Sequence, residues 1–545
     1  MKWKRKLIFF YCTVLFIFGL IVVRLFYIQI IKGEEYKKAA IRQRTMEVQI
    51  KPSRGMIFDR NLIPLTNKDK IRTMFIFKNI YSEKELSKIL ETLVDKNIIE
   101  KYTMLSKSDV IEIPLDSEVS ELKDLKGIYI EDKIKRYDKT NILSHVIGYI
   151  NKSENKGESG IERAFDNILK LDDSYGKVAL VVDGKKKVIP GIGLIDTLKK
   201  TSKKATSVKL TIDYNIQKIV EKVMDSENKN GAVIVADVKS GDILAMVSRP
   251  NFNQDNVAKY FNSSNMELYN KAIQVSYPPG SLFKIIVLAA ALQSGKIDLN
   301  KKYFCKGYEE VGNIKIACHS YKEGGHGELN LEEAFYKSCN SVFIQIGKTV
   351  GAKKIIQTAR KFGFGELVDV GLLEEVKGNL PGGDDILGPA IGNISIGQGS
   401  IEVTPLQITN MIITIANNGI MKDMSIVDSL VTENGYIIKK MKRNKPKRVL
   451  EPYYAKLIQE YMEKVVTLGT AKNISMDEIG GAAGKTGSAQ AVYNKKKTIH
   501  AWFAGYFPKK NPKYAITVLI ENGISGGKTA APIFEKIAKE IQKIE

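Results

Sequence analysis

Ser281 and Lys284 stand three positions apart at the start of an apolar segment that runs to about Gln293. Pro278-Pro279-Gly280 ends an extended stretch just before them, and the apolar segment predicts a buried helix that starts at the serine. A spacing of three places the hydroxyl and the amine on one helix face. Because burial and the positive helix N-terminus both disfavour the ammonium form, Lys284 is predicted to act as a general base for a Ser281 nucleophile.

The S-x-x-K spacing alone carries little information, because it recurs elsewhere in polar sequence. Examples are Ser120/Lys123, Ser153/Lys156, Ser174/Lys177 and Ser226/Lys229. The competing interpretation of Ser281 and Lys284 is a helix-capping serine beside a lysine whose amine reaches solvent. Other residues must therefore decide between the catalytic and the structural interpretation of Ser281 and Lys284.

Two further motifs favour the catalytic interpretation. Ser338-Cys339-Asn340 follows a helical stretch at 331–337 and is predicted to present a hydroxyl and an amide on a loop facing a cleft. Lys485-Thr486-Gly487-Ser488 lies in a strand rich in glycine and alanine at 480–491, where small residues let a ligand approach the backbone.

The elements around these motifs predict an α/β domain. Apolar strands are expected at 232–236 and 243–247, separated by a turn, and again at 501–506 and 514–520, before a C-terminal helix. Strands at both ends of a domain with helices between them indicate one sheet that is closed by the two termini. A lysine-rich stretch at 198–209 is predicted to be a linker.

Composition limits the class of protein. The chain has 545 residues, too many for a single core, and its 44% hydrophobic and 27% charged residues are typical of globular domains. The formal net charge of +23 suits an anionic lipid or cell-wall environment. Nucleic acid is not expected as a partner, because the lysines are scattered and no nucleic-acid-binding motif is present.

The N-terminus predicts a membrane anchor. Four cationic residues lie within residues 1–6, and a predominantly apolar run, interrupted by Arg24, extends over 7–31. This length spans a bilayer, and the flanking positive charge places the N-terminus in the cytoplasm and the rest of the chain outside the cell. A cleaved signal peptide would need a shorter apolar core and a small-residue cleavage site.

A cluster of cysteine and histidine residues is the candidate metal site. Cys305, Cys318 and Cys339 lie in one short stretch with His319 and His326. Three thiols and an imidazole suit a tetrahedral structural zinc site, with Cys305, Cys318, Cys339 and His326 as the preferred ligands and His319 as the substitute. A disulfide and free thiols remain open as alternatives.

The order S-x-x-K, S-x-N, K-T-G matches the signature of penicillin-binding proteins and class A β-lactamases. The longer segments at 277–292, 395–421, 484–490 and 501–518 resemble the transpeptidase domain of class B penicillin-binding proteins, and those at 54–61, 144–151 and 157–169 resemble its non-catalytic pedestal. The resemblance implies a penicillin-binding/serine β-lactamase-like α/β (α+β) transpeptidase domain at 201–545. It also implies an elongated, mostly-β pedestal or dimerisation domain at 32–200, and a monofunctional enzyme.

The resemblance further implies peptidoglycan D,D-transpeptidase activity through a Ser281 acyl-enzyme that β-lactams also form, with carboxypeptidase side activity. Lys284 would be the base, Ser338 the proton carrier and Asn340 a contact to the donor peptide. Lys485, Thr486, Gly487 and Ser488 would bind its terminal carboxylate. No cofactor would be needed for catalysis, and zinc would be structural.

The expected partners are peptidoglycan stem peptides, β-lactams, a polytopic (SEDS-type) glycosyltransferase and other cell-wall synthesis proteins. The alternatives are a scaffold that activates such a glycosyltransferase, and a serine β-lactamase or β-lactam sensor.

Overall fold

The computed structural model describes residues 2–33, 35–36, 39, 45–50, 52–78, 81–82, 84–85, 88, 110–115, 128–171, 177–181, 194–196, 206–493 and 496–545. The chain forms two compact units. The N-terminal unit comprises Met1–Ser53, Asn67–Arg136 and Leu171–Lys203, and the C-terminal unit comprises Arg54–Thr66, Tyr137–Lys170 and Lys204–Glu545.

The strands, in chain order, are β1 (Thr45–Gln49), β2 (Ile57–Phe58), β3 (Lys70–Phe77), β4 (Val110–Pro114), β5 (Ile128–Ile134), β6 (Ile150–Asn151), β7 (Lys156–Gly157), β8 (Lys177–Val181), β9 (Leu194–Asp196), β10 (Thr206–Leu210), β11 (Gly231–Asp237), β12 (Ile243–Arg249), β13 (Tyr303–Cys305), β14 (Tyr308–Val311), β15 (Ile314–Ala317), β16 (Gly327–Leu329), β17 (Ile420–Met421), β18 (Val427–Thr432), β19 (Ile437–Lys440), β20 (Lys447–Arg448), β21 (Ala483–Tyr493), β22 (Lys496–Phe507) and β23 (Tyr514–Ile520).

The α-helices are α1 (Lys2–Phe26), α2 (Ser144–Ile147), α3 (Gly160–Ala164), α4 (Asp166–Leu169), α5 (Tyr214–Glu227), α6 (Lys284–Ser294), α7 (Leu331–Tyr336), α8 (Asn340–Val350), α9 (Ala352–Lys361), α10 (Ala390–Ile396), α11 (Pro405–Ala416), α12 (Pro452–Thr467) and α13 (Ala531–Gln542).

The N-terminal unit begins with one long apolar helix. Helix α1 continues through a wider turn at Tyr27–Ile31, and the combined helix is long and apolar enough to cross a membrane. None of the α1 side chains is buried, as expected of a helix whose apolar surface faces lipid. The sequence prediction of a single-pass anchor fits this helix. The other described elements of the unit form two antiparallel sheets, β1-β8-β9 and β4-β3-β5.

The C-terminal unit is built on a five-stranded antiparallel sheet in the order β12-β11-β23-β22-β21. The strands predicted early and late in the domain therefore lie side by side at β11 and β23, which confirms the prediction of a sheet closed by its termini. Strand β21 is at one edge of this sheet.

Every residue of β23 is buried, so both faces of the sheet are covered. The hydroxyl of Thr517 on β23 bonds to that of Thr409 on α11 at 2.8 Å. Phe503, which lies opposite Val518, packs its ring on Phe534 of α13 at 4.7 Å between centroids. Since neighbouring residues of a strand point to opposite faces, α11 and α13 lie on opposite sides of the sheet.

A second sheet, β19-β18-β10-β2, brings the early segment at 54–66 into the C-terminal unit. The side chain of Arg54 is buried and bonds to Glu162 at 2.8 Å and to Asp166 at 2.7 Å. Leu62 adopts a left-handed backbone conformation (φ +65°) in the turn that follows β2, a conformation that glycine adopts at lower cost.

The predicted linker at 198–209 is partly wrong. Residues 198–205, including the expected domain boundary at 200/201, lie outside the described residues, but 206–209 belong to β10. Strand β10 lies between β18 and β2 with Val208 and Leu210 fully buried. The amine of Lys209 lies 3.7 Å from the carboxylate of Asp428 on the neighbouring strand β18, so the charge of the lysine is paired within the sheet.

Candidate active site

The turn that carries Ser281 is a 3-10 segment, Gly280–Phe283, rather than the first turn of an α-helix. Gly280 is left-handed (φ +53°), and its N–H donates to the carbonyl of Gly397 at 2.9 Å. Leu282 and Phe283 are fully buried, whereas Ser281 is half-buried. The predicted buried helix is confirmed as α6, which begins at Lys284.

Lys284 is fully buried, and its hydrogen bonds join α6 to the junction of α7 and α8. Its Nζ donates to the carbonyl of Ser338 at 2.7 Å and to Oδ1 of Asn340 at 2.8 Å, and lies 3.4 Å from the Ser338 hydroxyl. These two short bonds use both N–H groups of a neutral amine and leave its lone pair free to accept a proton. Burial lowers the pKa of Lys284 to about 8, against a smaller opposing effect of Cys339 and Cys318.

Ser338 and Asn340 are held by the junction between two helices. Helix α7 begins with an Asn330/Glu333 capping box, and Ser338 follows it in a left-handed conformation (φ +56°) that a non-glycine residue rarely adopts. Asn340 is the first residue of α8 rather than a loop residue as predicted, and its amide donates to the carbonyl of Ala317 at 3.2 Å.

Ser338 lies between two lysines. The Nζ of Lys485 on β21 donates to the Ser338 hydroxyl at 2.9 Å, the same hydroxyl that lies near Lys284. Lys485 is fully buried, and burial together with the nearby charge of Lys284 lowers its pKa well below its ordinary value. The three side chains therefore form a continuous path along which a proton can move.

The remaining residues of the K-T-G-S motif line the edge of the sheet beside the nucleophile turn. Gly487 is needed there, because a Cβ at this position would lie 2.9 Å from the carbonyl oxygen of Pro279 and 3.1 Å from Cβ of Trp502. The hydroxyl of Ser488 accepts a hydrogen bond from the N–H of Gly526 at 3.0 Å.

Thr470 is a residue that sequence reasoning missed. Its hydroxyl lies 2.6 Å from that of Thr486, and its N–H donates to the carbonyl of Tyr336, two residues before Ser338. Thr470 thus connects the S-x-N junction with the K-T-G strand. Its position just after α12 in a Leu-Gly-Thr-Ala sequence contains no local signal for this role.

The cysteine and histidine residues converge next to this junction. One ligand atom from each of Cys305, Cys318, His326 and Cys339 lies within 4.8 Å of the others. Nδ1 of His326 is 3.6 Å from Sγ of both Cys305 and Cys318, and the Sγ atoms of Cys318 and Cys339 are 3.9 Å apart.

These separations fit a tetrahedral metal site. With zinc–sulfur and zinc–nitrogen bonds of about 2.3 and 2.0 Å, tetrahedral ligand atoms are expected roughly 3.5 to 3.8 Å apart. The pKa of the Cys318 thiol is lowered, first by its hydrogen bond with Cys339 and also by the His319 and His326 rings. His319 is exposed and its Nδ1 lies 3.9 Å from Cys318, so His326 is the better-placed imidazole. All four cysteines are unpaired in the structure.

Comparisons with known proteins place this architecture in a family. The profile of the penicillin-binding protein transpeptidase domain matches residues 231–539, and that of the penicillin-binding protein dimerisation domain matches residues 49–191. The chain is 30% identical to stage V sporulation protein D of Bacillus subtilis, with 98% of this chain and 85% of the relative covered. It is also 30% identical to peptidoglycan D,D-transpeptidase FtsI of Buchnera aphidicola, over 98% and 94% of the two chains.

Solved structures agree with these sequence matches. The penicillin-binding protein PBP2 of Helicobacter pylori is 25% identical and superimposes with a TM-score of 0.72, over 92% of this chain and 99% of that one. The same protein has been solved in complex with MreC, with a TM-score of 0.66 and the same coverage. The chain therefore belongs to the class B penicillin-binding proteins, in which a serine transpeptidase domain follows a dimerisation domain.

Proposed function

We propose that the protein is a peptidoglycan D,D-transpeptidase in which Ser281 is acylated by the donor stem peptide. The observation that carries the assignment is the buried path Lys284–Ser338–Lys485 beside the Ser281 turn. Two buried lysines that share one hydroxyl have no evident use in packing, but they provide a base and a proton carrier for acyl transfer.

In the acylation step, Oγ of Ser281 attacks the carbonyl carbon between the last two D-alanines, and neutral Lys284 accepts the hydroxyl proton. The C–N bond to the terminal D-alanine then breaks. The departing amine receives a proton from the Ser338 hydroxyl, which takes back a proton from protonated Lys284 in the same step. This hydroxyl lies 3.4 Å from Nζ of Lys284 and 2.9 Å from Nζ of Lys485. The amine of a second stem peptide attacks the ester in the reverse sequence, which forms the cross-link and frees Ser281.

The edge strand β21 and Asn340 would hold the donor. Lys485, Thr486 and Ser488 lie on one short stretch of β21, and a terminal carboxylate bound there restores the positive charge of Lys485 that burial disfavours. Asn340 would contact the donor backbone. The N–H groups of Ser281 and Ser488 would bind the oxyanion, as the close approach of Gly280 to the Ser488 carbonyl supports.

The Cys305, Cys318, Cys339 and His326 cluster would bind one structural zinc ion. When bound, the ion would cross-link the 305–326 segment to the start of α8 without taking part in acyl transfer. Cys339 lies between Ser338 and Asn340, so a fixed Cys339 restrains both residues. The lowered pKa of Cys318 supports this role, because metal ligands must be thiolates.

The apolar helix α1 would anchor the protein with its N-terminus in the cytoplasm. Its first turns carry cationic residues, which favour the cytoplasmic side. The catalytic unit would then lie outside the cell, where a polytopic SEDS-type glycosyltransferase would supply new glycan strands. The solved complex of H. pylori PBP2 with MreC supports a role for other cell-wall synthesis proteins as partners.

The test is intact-mass spectrometry of the detergent-solubilised full-length protein after incubation with a penicillin. We expect a stable adduct that maps to Ser281 and is absent from Ser281→Ala. Ser226→Ala is the matched control, because Ser226 has the same S-x-x-K spacing but its hydroxyl donates to the Val223 carbonyl at the end of α5. Absence of an adduct on the folded wild-type protein would favour the scaffold alternative, and an adduct that clears within seconds would favour the β-lactamase.

A further inference from the structure

A buried charged cluster that the proton steps do not use lies behind the nucleophile turn. Lys271 is 2% exposed, and its Nζ lies 2.5 Å from a carboxylate oxygen of Glu521. The other carboxylate oxygen accepts a hydrogen bond from the hydroxyl of Tyr277 at 2.8 Å. Buried ion pairs contribute little net stability compared with apolar side chains, so this cluster calls for a role in fixing geometry.

Tyr277 begins the segment that ends at Ser281, and this segment is held at several points. The backbone of Tyr277 exchanges two 2.9 Å hydrogen bonds with Val403. The indole N–H of Trp502 donates to the carbonyl of Pro278 at 3.2 Å. The Tyr277 ring packs edge-on against Trp502 and His500, both on β22.

The position of this segment determines the distance between the backbone of the Ser281 turn and the backbone of β21. A Cβ on Gly487 would lie 2.9 Å from the Pro279 carbonyl, and one on Gly280 would lie 3.1 Å from the Ser488 carbonyl, so the two backbones are in close contact. Glu521 directly follows β23, in the same sheet as β21. The Tyr277–Glu521 bond therefore ties the start of the turn to the sheet that carries Ser488.

We propose that Glu521, charge-balanced by Lys271, is a positioning residue that fixes the Ser281 turn through the Tyr277 hydroxyl. This contact sets the spacing between the N–H groups of Ser281 and Ser488 that bind the oxyanion. The proposal rests on the proposed function of Ser281. The pKa of Tyr277 is raised by burial and by Glu521, so the phenol stays a hydrogen-bond donor.

The test is the acylation kinetics of the full-length protein with a chromogenic cephalosporin, which separate the dissociation constant before acylation from the acylation rate constant. We expect Tyr277→Phe to lower the rate constant roughly 10- to 100-fold with the dissociation constant within twofold, because a misplacement of about 1 Å can cost that much. Glu521→Gln should lower the rate constant too, since Lys271 then lacks its counter-charge.

The matched control is Tyr506→Phe. Tyr506 is a buried tyrosine like Tyr277 but lies on β22 of the five-stranded sheet, and its hydroxyl has no hydrogen-bond partner among the described residues. Tyr506→Phe should acylate at the wild-type rate. The double variant Tyr277→Phe/Glu521→Gln should be no slower than the slower single variant by more than about twofold, because residues that act through one contact are not additive.

A wild-type rate constant for Tyr277→Phe, or an equal loss in Tyr506→Phe, would overturn the proposal. So would a weaker dissociation constant with an unchanged rate constant. Melting temperatures of all variants identify losses that come from unfolding. Failure of the wild-type protein to form an adduct at Ser281 would instead overturn the proposed function, and this inference with it.

Discussion

The lowered pKa of Lys284 predicts how acylation depends on pH. Acylation requires the neutral amine, and with a pKa of about 8 its neutral fraction rises from about 10% at pH 7 to about 90% at pH 9. The acylation rate constant should therefore increase about ninefold over this range and level off above it. Stopped-flow measurement with a chromogenic cephalosporin, at several pH values and constant ionic strength, gives the profile.

The substitution Asn340→Asp should shift this pH profile of acylation to higher pH. Oδ1 of Asn340 lies 2.8 Å from Nζ of Lys284, so the variant places a carboxylate against the amine. An adjacent opposite charge raises a lysine pKa by about 1 to 3 units, so the rising limb should move to higher pH. At pH 7 the rate constant should fall by roughly 10- to 1,000-fold, and raising the pH should restore much of it.

Two results would refute this reasoning. The first is a rate constant that stays flat between pH 6 and pH 9 in the wild-type protein, which would mean that Lys284 does not titrate as the base. The second is a loss in Asn340→Asp by the same factor at every pH, which would mean that the amide acts only through donor binding.

The zinc proposal predicts one zinc ion per chain by elemental analysis. Cys339→Ser should remove the ion and lower the melting temperature by several degrees, whereas Cys12→Ser, at a cysteine exposed in α1, should change neither value; full zinc content in Cys339→Ser would contradict the ligand assignment. Leu62→Gly should relieve about 1 kcal/mol of left-handed strain, partly offset by the backbone entropy of glycine. Chemical denaturation measures the change, and Leu65→Gly, at a buried residue with no left-handed strain, should instead destabilise the protein.

Much of the fold could be predicted from the sequence because the relevant signals are local. The uninterrupted apolar stretches at β11, β12, β22 and β23 are long enough to identify buried strands, and the apolar run before Lys32 is long enough to identify a membrane helix. The three catalytic motifs were recognisable because each consists of residues at fixed, short spacings. The candidate metal site could be predicted because its cysteines and histidines are concentrated in one short stretch.

Only the tertiary structure decided which of these residues meet. Helix spacing predicted that Lys284 lies on the same face as Ser281, but it could not predict that the amine donates to Ser338 and Asn340, more than 50 residues away. Lys485 bonds to a serine 147 residues distant, and Tyr277 to a glutamate 244 residues distant. Local periodicity carries no information about such pairs, because packing of the helices and the edge strand around one cleft determines them.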